Sequence, residues 1–165
     1  MQEEELLEIL DKYLLGWAFG DIERASKGEA KLGAFILGTC FIDAMAGFYK
    51  GTDREEAKRK SGSRFRDFVE KYLPKYEPER LWEDLRCGLV HSYAEGGSYE
   101  FTHSRSQSHF TKSSRGKTIL NLEDFLEDLK EAYNKLRKDI LNQKDTFDKA
   151  MRRYESMGLM ASIRV

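Results

Sequence analysis

The chain has 165 residues, 40% of them hydrophobic and 35% charged, with a formal net charge of −1. That length fits one domain with a real core. The near-neutral balance excludes a globally basic nucleic-acid coat, so any such contact must come from a local patch.

The opening Glu3, Glu4 and Glu5 are the opposite of a secretory leader. Leu6, Leu7, Leu10, Leu14, Trp17 and Ile22 recur at helical spacing and predict a first helix from Glu4 to about Ala25, interrupted by Gly16 and Gly20. A second helix is predicted from about Glu29 to Tyr49, ending before Gly51. Phe35, Ile36, Leu37, Phe41, Ile42, Met45 and Phe48 make it apolar on most faces, which marks the centre of the fold. Its apolar run, Gly33 to Tyr49, contains Asp43 and falls short of the ~20 residues of a membrane span, so it reads as a buried core helix.

Thr52 and Asp53 offer a cap for the charged stretch Arg54 to Lys60, and Ser61, Gly62 and Ser63 read as a break. Arg64 to Leu73 is a further predicted helix, with Phe65, Phe68, Val69 and Tyr72 facing inward. Another starts near Pro78, a favoured first-turn residue, and continues through Leu81, Trp82, Leu85 and Leu89 toward Gly96 and Gly97. Trp17, Phe41 and Trp82 sit at core spacing. Tyr99, Phe101 and His103 then alternate with polar neighbours as a strand does. Short strands are also expected around His109 to Lys112 and Thr118 to Leu120, as a small hairpin or irregular insertion spanning about 98–121. Asn121 caps a long amphipathic helix to about Asn142, whose inner stripe is Phe125, Leu129, Tyr133, Leu136 and Ile140. A last helix runs from about Thr146 to Met157.

The most informative stretch is Arg86-Cys87-Gly88-Leu89-Val90-His91-Ser92-Tyr93. At about 100° per residue, Leu81, Leu85 and Leu89 form one stripe, while Arg86 and His91 stand roughly 140° apart around Val90 and Cys87. Apolar residues between two polar ones imply that this face packs against a groove or a second subunit. An arginine can hold a phosphate in two hydrogen bonds, and a histidine moves protons at neutral pH. RNA cleavage through the 2′-hydroxyl needs a base near that hydroxyl and charge stabilisation at the phosphate. Arg86 fits the second role and His91 the first, with Tyr93 as a supporting hydroxyl. The bland alternative is an arginine paired with a buried acid, a histidine favoured by the helix C-terminus and a core tyrosine.

The segment RCGLVHSY resembles the signature of the HEPN family: Arg, a usually polar residue, three variable residues, His, any residue, Tyr. The order of helices is similar too, so the resemblance covers most of the chain at fold level and eight residues at motif level. It implies a helical bundle and a metal-independent endoribonuclease working as a homodimer, with one cleft built by two chains. Such proteins include toxins with an antitoxin partner, defence nucleases, and members without activity. Cys87 departs from the pattern, because active members often carry asparagine, aspartate or histidine there. A non-catalytic nucleic-acid-binding, nucleotide-binding or protein-interaction module is therefore the alternative.

Asp43 is the oddity of the apolar helix, because a buried carboxylate needs a partner. Arg86 or His91 would make it an acid that orients the site; another cation or a surface position would make it structural. Between Glu100 and Glu123 no acidic residue occurs, while Arg105, Lys112, Arg115 and Lys117 do, so this insertion is a candidate backbone contact for RNA. The cluster of Lys58, Arg59, Lys60, Arg64 and Arg66 is offset by neighbouring acids and reads as a solvated helix face. Cys40 and Cys87, in apolar segments, read as reduced packing cysteines suited to the cytoplasm. No ligand spacing among His91, His103, His109 and the cysteines supports a metal site, and no cofactor is expected. Phosphate-binding glycine loops, dinucleotide fingerprints, nucleophile elbows and metalloprotease helices are absent from the sequence. The expectation is a mostly α, single-domain up-and-down bundle with a small β-hairpin insertion.

Overall fold

The computed structural model describes residues 1–92, 97–103 and 108–157. Among these, helix α1 (3–27) is α-helical over Glu3–Leu10, widens to π-type spacing over Asp11–Phe19 and returns to α over Gly20–Lys27. The acidic first turn suits the positive end of the helix, and Glu5 reaches back to accept from the Gln2 N–H at 2.9 Å. Helix α2 is Lys31–Lys50 and stops at Gly51, whose φ of +65° is left-handed. There the Thr52 N–H closes back on the Gly47 carbonyl at 3.2 Å. A side chain at Gly51 would also meet the Lys149 backbone at 2.8 Å.

The charged stretch forms helix α3 (Arg54–Arg59), capped by Asp53, which accepts from Glu55 N and Glu56 N. Helix α4 is Ser61–Tyr72, so the expected break at Ser61, Gly62 and Ser63 is instead its first turn. Helix α5 (78–92) begins at Pro78, carries a π-type stretch over Leu81–Leu89 and ends as Val90–Ser92. Helix α6 is Leu122–Asn142, capped by Asn121 Oδ1, and α7 is Lys144–Met157.

The mostly α fold with a small β insertion is as the sequence predicts. Strand β1 (Tyr99–Thr102) runs parallel to β2 (Thr118–Asn121), with Tyr99 opposite Thr118. The hairpin element lies on the other side of β2. There Phe110 N donates to Ile119 O at 2.9 Å and Ile119 N to Thr111 O at 2.8 Å, with an antiparallel bridge from Lys112 to Thr118.

Helix α2 packs against α1, α4, α5, α6 and α7. By length and composition α2 is apolar enough to cross a membrane, yet more than half of its apolar window is buried in the bundle. The α6 stripe of Phe125, Leu129, Tyr133, Leu136 and Ile140 is buried as its periodicity predicts. Trp17 is not in the core: it is 41% exposed, and Phe19 is buried instead. The π-type stretch in α1 shifts the inward face, so an α-helical count carried through residue 17 points the wrong way. Cys40 also departs from its expected packing, since it is exposed beside Leu37 on the outer face of α2.

Helix α6 packs closely on α2 at Gly38. A methyl there would meet Phe125 Cε1 at 2.6 Å and Leu129 Cδ1 at 3.2 Å, both on α6. Gly38→Ala is expected to cost about 1–3 kcal/mol, the usual penalty of overpacking, measured by urea unfolding. Unchanged stability would show that α2 and α6 do not cross this closely.

Candidate active site on the motif helix

Helix α5 presents Leu81, Leu85 and Leu89 to the core, each fully buried. Its other side carries Trp82, Arg86, Cys87 and Val90, half-buried, and His91, exposed. In an α-helix, residues five apart diverge by about 140°. A π-type ladder bonds each residue to the one five positions on, which stacks such pairs along one side. The widened stretch ends at Leu89, so only part of the span from Arg86 to His91 follows that ladder.

Arg86 is held from two directions. Its guanidinium carbon lies 5.5 Å from the centre of the Trp82 ring, a cation–π stack one helical turn back. Its Nη2 is 3.6 Å from Asp43 Oδ2 on α2, an ionic contact too long for a hydrogen bond. Arg86 makes no hydrogen bond among the described residues, and its Nε is buried without a partner. A guanidinium has five N–H donors, so this side chain is positioned but unspent.

Asp43 is satisfied mainly by Arg64 of α4. Arg64 Nη2 and Nε donate to Asp43 Oδ1 at 2.8 and 3.2 Å, and Nη1 donates to the Ala57 carbonyl at 3.0 Å. The Arg64 and Asp43 side chains are 8% and 16% exposed. Asp43 thus does touch Arg86, as one of the two expected partners, but its stronger partner is another cation. No contact between Asp43 and His91 is found among the described residues. Arg66 of α4 lies over the Trp82 ring as well, also 5.5 Å away, with Nη2 bonded to Glu79 at 2.8 Å.

His91 makes no hydrogen bond among the described residues, so its imidazole is unengaged. Tyr93 and Arg105 lie outside the described residues. Lys112 and Arg115 are exposed and Lys117 half-buried on the insertion. Lys112 Nζ donates to Thr118 Oγ1 at 3.0 Å. None of these three touches Arg86; the insertion meets the motif helix at Asp84, which accepts from Ser98 N at 3.0 Å. Among the described residues no cluster of histidine, cysteine and acidic side chains is arranged to hold a metal.

Comparison with family models, with curated proteins and with solved structures finds no match for this chain. An anchored, under-bonded arginine can bind an oxyanion, and an exposed imidazole can move a proton. Sequence reading missed Trp82 and Arg64 as members of this site. Trp82 had a readable signal, being four residues before Arg86; Arg64 had none, because only the tertiary fold brings α4 to Asp43.

Replacing Arg64 leaves a half-buried carboxylate with one distant cation. Arg64→Met is expected to cost about 3–5 kcal/mol, as when one partner of a buried pair is removed, with part recovered on adding Asp43→Asn. Urea denaturation of the single and double variants checks this; a double variant no more stable than the single one refutes the pairing.

Proposed function

We propose that this protein is a metal-independent endoribonuclease of HEPN type, acting as a homodimer. The observation that carries the reading is Arg86: fixed by Trp82 and Asp43, partly desolvated, and with its hydrogen-bond donors unused. In this reading Arg86 grips the scissile phosphate and stabilises the charge that grows on it. His91 takes the proton from the 2′-hydroxyl, whose oxygen attacks phosphorus and expels the 5′-oxygen. The products carry a 2′,3′-cyclic phosphate and a 5′-hydroxyl. Asp43 and Arg64 act by positioning, and Tyr93 is assigned a supporting hydroxyl by the motif resemblance. The basic residues Lys112, Arg115 and Lys117, with Arg105, would follow the RNA backbone.

The homodimer is supported by the outer face of α2. Gly33, Leu37, Cys40 and Ala44 recur at three- and four-residue steps, with Leu37 39% exposed and Cys40 exposed. This apolar strip lies on the helix that carries Asp43 and packs on the motif helix. In the dimer of this reading the second copy's imidazole protonates the leaving oxygen. Toxin or defence roles, with an antitoxin as partner, are the settings in which such an enzyme would work.

Cys87 favours one alternative, a non-catalytic RNA-binding or protein-interaction module, because a thiol is a weak hydrogen-bonding partner beside Arg86. An RNase assay in EDTA separates the two. Cleavage should persist in chelator and fall by about 10²–10⁴ in His91→Ala, the usual worth of a proton-transfer group, with a comparable fall in Arg86→Ala. RNA retention without cleavage would favour the binding module; equal cleavage by both variants would refute the assignment. Independently, Leu37→Glu is expected to convert a dimer to monomer in sedimentation, and a variant that sediments like the parent dimer would place the interface elsewhere.

A further inference from the structure

Away from the motif helix, one imidazole joins the insertion to both the Tyr76 connector and the start of α6. His109 Nδ1 accepts from the Asn121 backbone N–H at 3.0 Å. Its Nε2 lies 3.1 Å from the Tyr76 hydroxyl. That hydroxyl donates to Asp128 Oδ2 at 2.9 Å, and Lys75 Nζ donates to Asp128 Oδ1 at 2.8 Å. Since Nδ1 is an acceptor, the proton of the neutral ring sits on Nε2 and points to Tyr76. The tautomer is fixed from both sides. The next residue, Phe110, has φ of +63°. For a bulky side chain this left-handed conformation is strained by about 1–3 kcal/mol and persists only where the surroundings enforce it. The enforcing contacts are its N–H to Ile119 O at 2.9 Å and its ring against Tyr76 at 4.9 Å between centroids.

We propose that His109 is a proton-operated latch on the arm 108–118, closed by the neutral imidazole and opened when Nδ1 gains a proton. An imidazolium has no lone pair for the Asn121 N–H; two N–H groups then face one another. The ring must leave, and the strain at Phe110 favours its leaving. Asn121 also caps α6, so the latch joins the arm, β2 and the first turn of α6. The arm carries Lys112, Arg115 and Lys117, and acid would release this basic segment from the Tyr76 connector.

The groups facing His109 settle the direction. Burial disfavours the charged ring most; Asp128 and Asp124 favour it, and Lys75 opposes it. The net effect holds the imidazole below its ordinary 6.5. A depressed histidine gives stability that is complete above the unfolded value of about 6.5 and is drawn down as pH falls through it. The latch stands whether or not Arg86 and His91 cut RNA.

Hydrogen exchange on the full chain, corrected for intrinsic rates, tests it. From about pH 7.5 to about pH 5, residues 109–121 should lose about tenfold or more in protection relative to the α2 core. His109→Asn keeps an acceptor for the Asn121 N–H but cannot take the proton, and should abolish that differential. An unchanged ratio in the parent chain, or an equal loss in His109→Asn, overturns the latch. If His109→Asn fails to hold the arm at neutral pH, NMR of the parent chain decides. The Asn121 amide must then move with the same midpoint as the His109 ring, and separate midpoints overturn the proposal.

Discussion

A carboxylate in the middle of the most apolar helix is the constraint that organises the rest. Asp43 cannot stay charged on α2 without partners, and the fold provides two guanidinium groups from two other helices. Arg64 takes one oxygen in two hydrogen bonds and continues to the Ala57 carbonyl, so α2, α3 and α4 are joined at one point. Arg86 faces the other oxygen at 3.6 Å and is only partly neutralised. Nearby, Arg153 of α7 is buried against the Thr52 carbonyl, and burial and the charge of Arg64 lower its affinity for its proton. The C-terminal half of α2 and the turn after it are therefore bordered by the guanidinium groups of Arg64, Arg86 and Arg153 and by the carboxylates Asp43 and Asp53. Of these cations, Arg86 makes no hydrogen bond among the described residues.

Helix geometry is the second organising factor. Both α1 and α5 widen to π-type spacing, and in α1 the widening moves a side chain that an α-helical count misplaces. In α1 it puts Trp17 at the surface and Phe19 inside. In α5 it covers Leu81–Leu89 and includes Arg86. Widened turns cost hydrogen-bond quality and persist mostly where function uses the altered register.

Much of this is legible in the chain itself. Apolar periodicity places α2 and α6 with their buried stripes, and Asn121, Asp53 and Pro78 announce helix starts, because capping is local chemistry. The break expected at residues 61–63 fails because small polar residues also serve a first helical turn, and packing of Phe65 and Phe68 decides between the two uses. The RCGLVHSY segment locates the candidate site, but not its anchoring. Trp82 is readable as a stacking partner by its spacing; Arg64 and the His109 connections depend on residues 21 and 33 or 12 positions away in the chain. Register changes of the π type leave no compositional mark, so Trp17 cannot be placed from sequence.

The insertion between α5 and α6 is held at its two ends by different chemistry. At the first, Asp84 on the motif helix itself accepts from Ser98. At the second, a neutral histidine accepts from Asn121 at the mouth of α6. The groups that anchor Arg86 include the ionic contact with Asp43 and the Arg64–Asp43 pair, whose guanidinium groups stay protonated across the physiological range. The far end of the insertion is fastened through the one kind of side chain whose charge does change there. A rigid ionic site and a titratable fastening on the adjoining basic arm make separate demands. The first requires fixed charge, the second a bond that can be lost, and the fold meets them with guanidinium on one side and imidazole on the other.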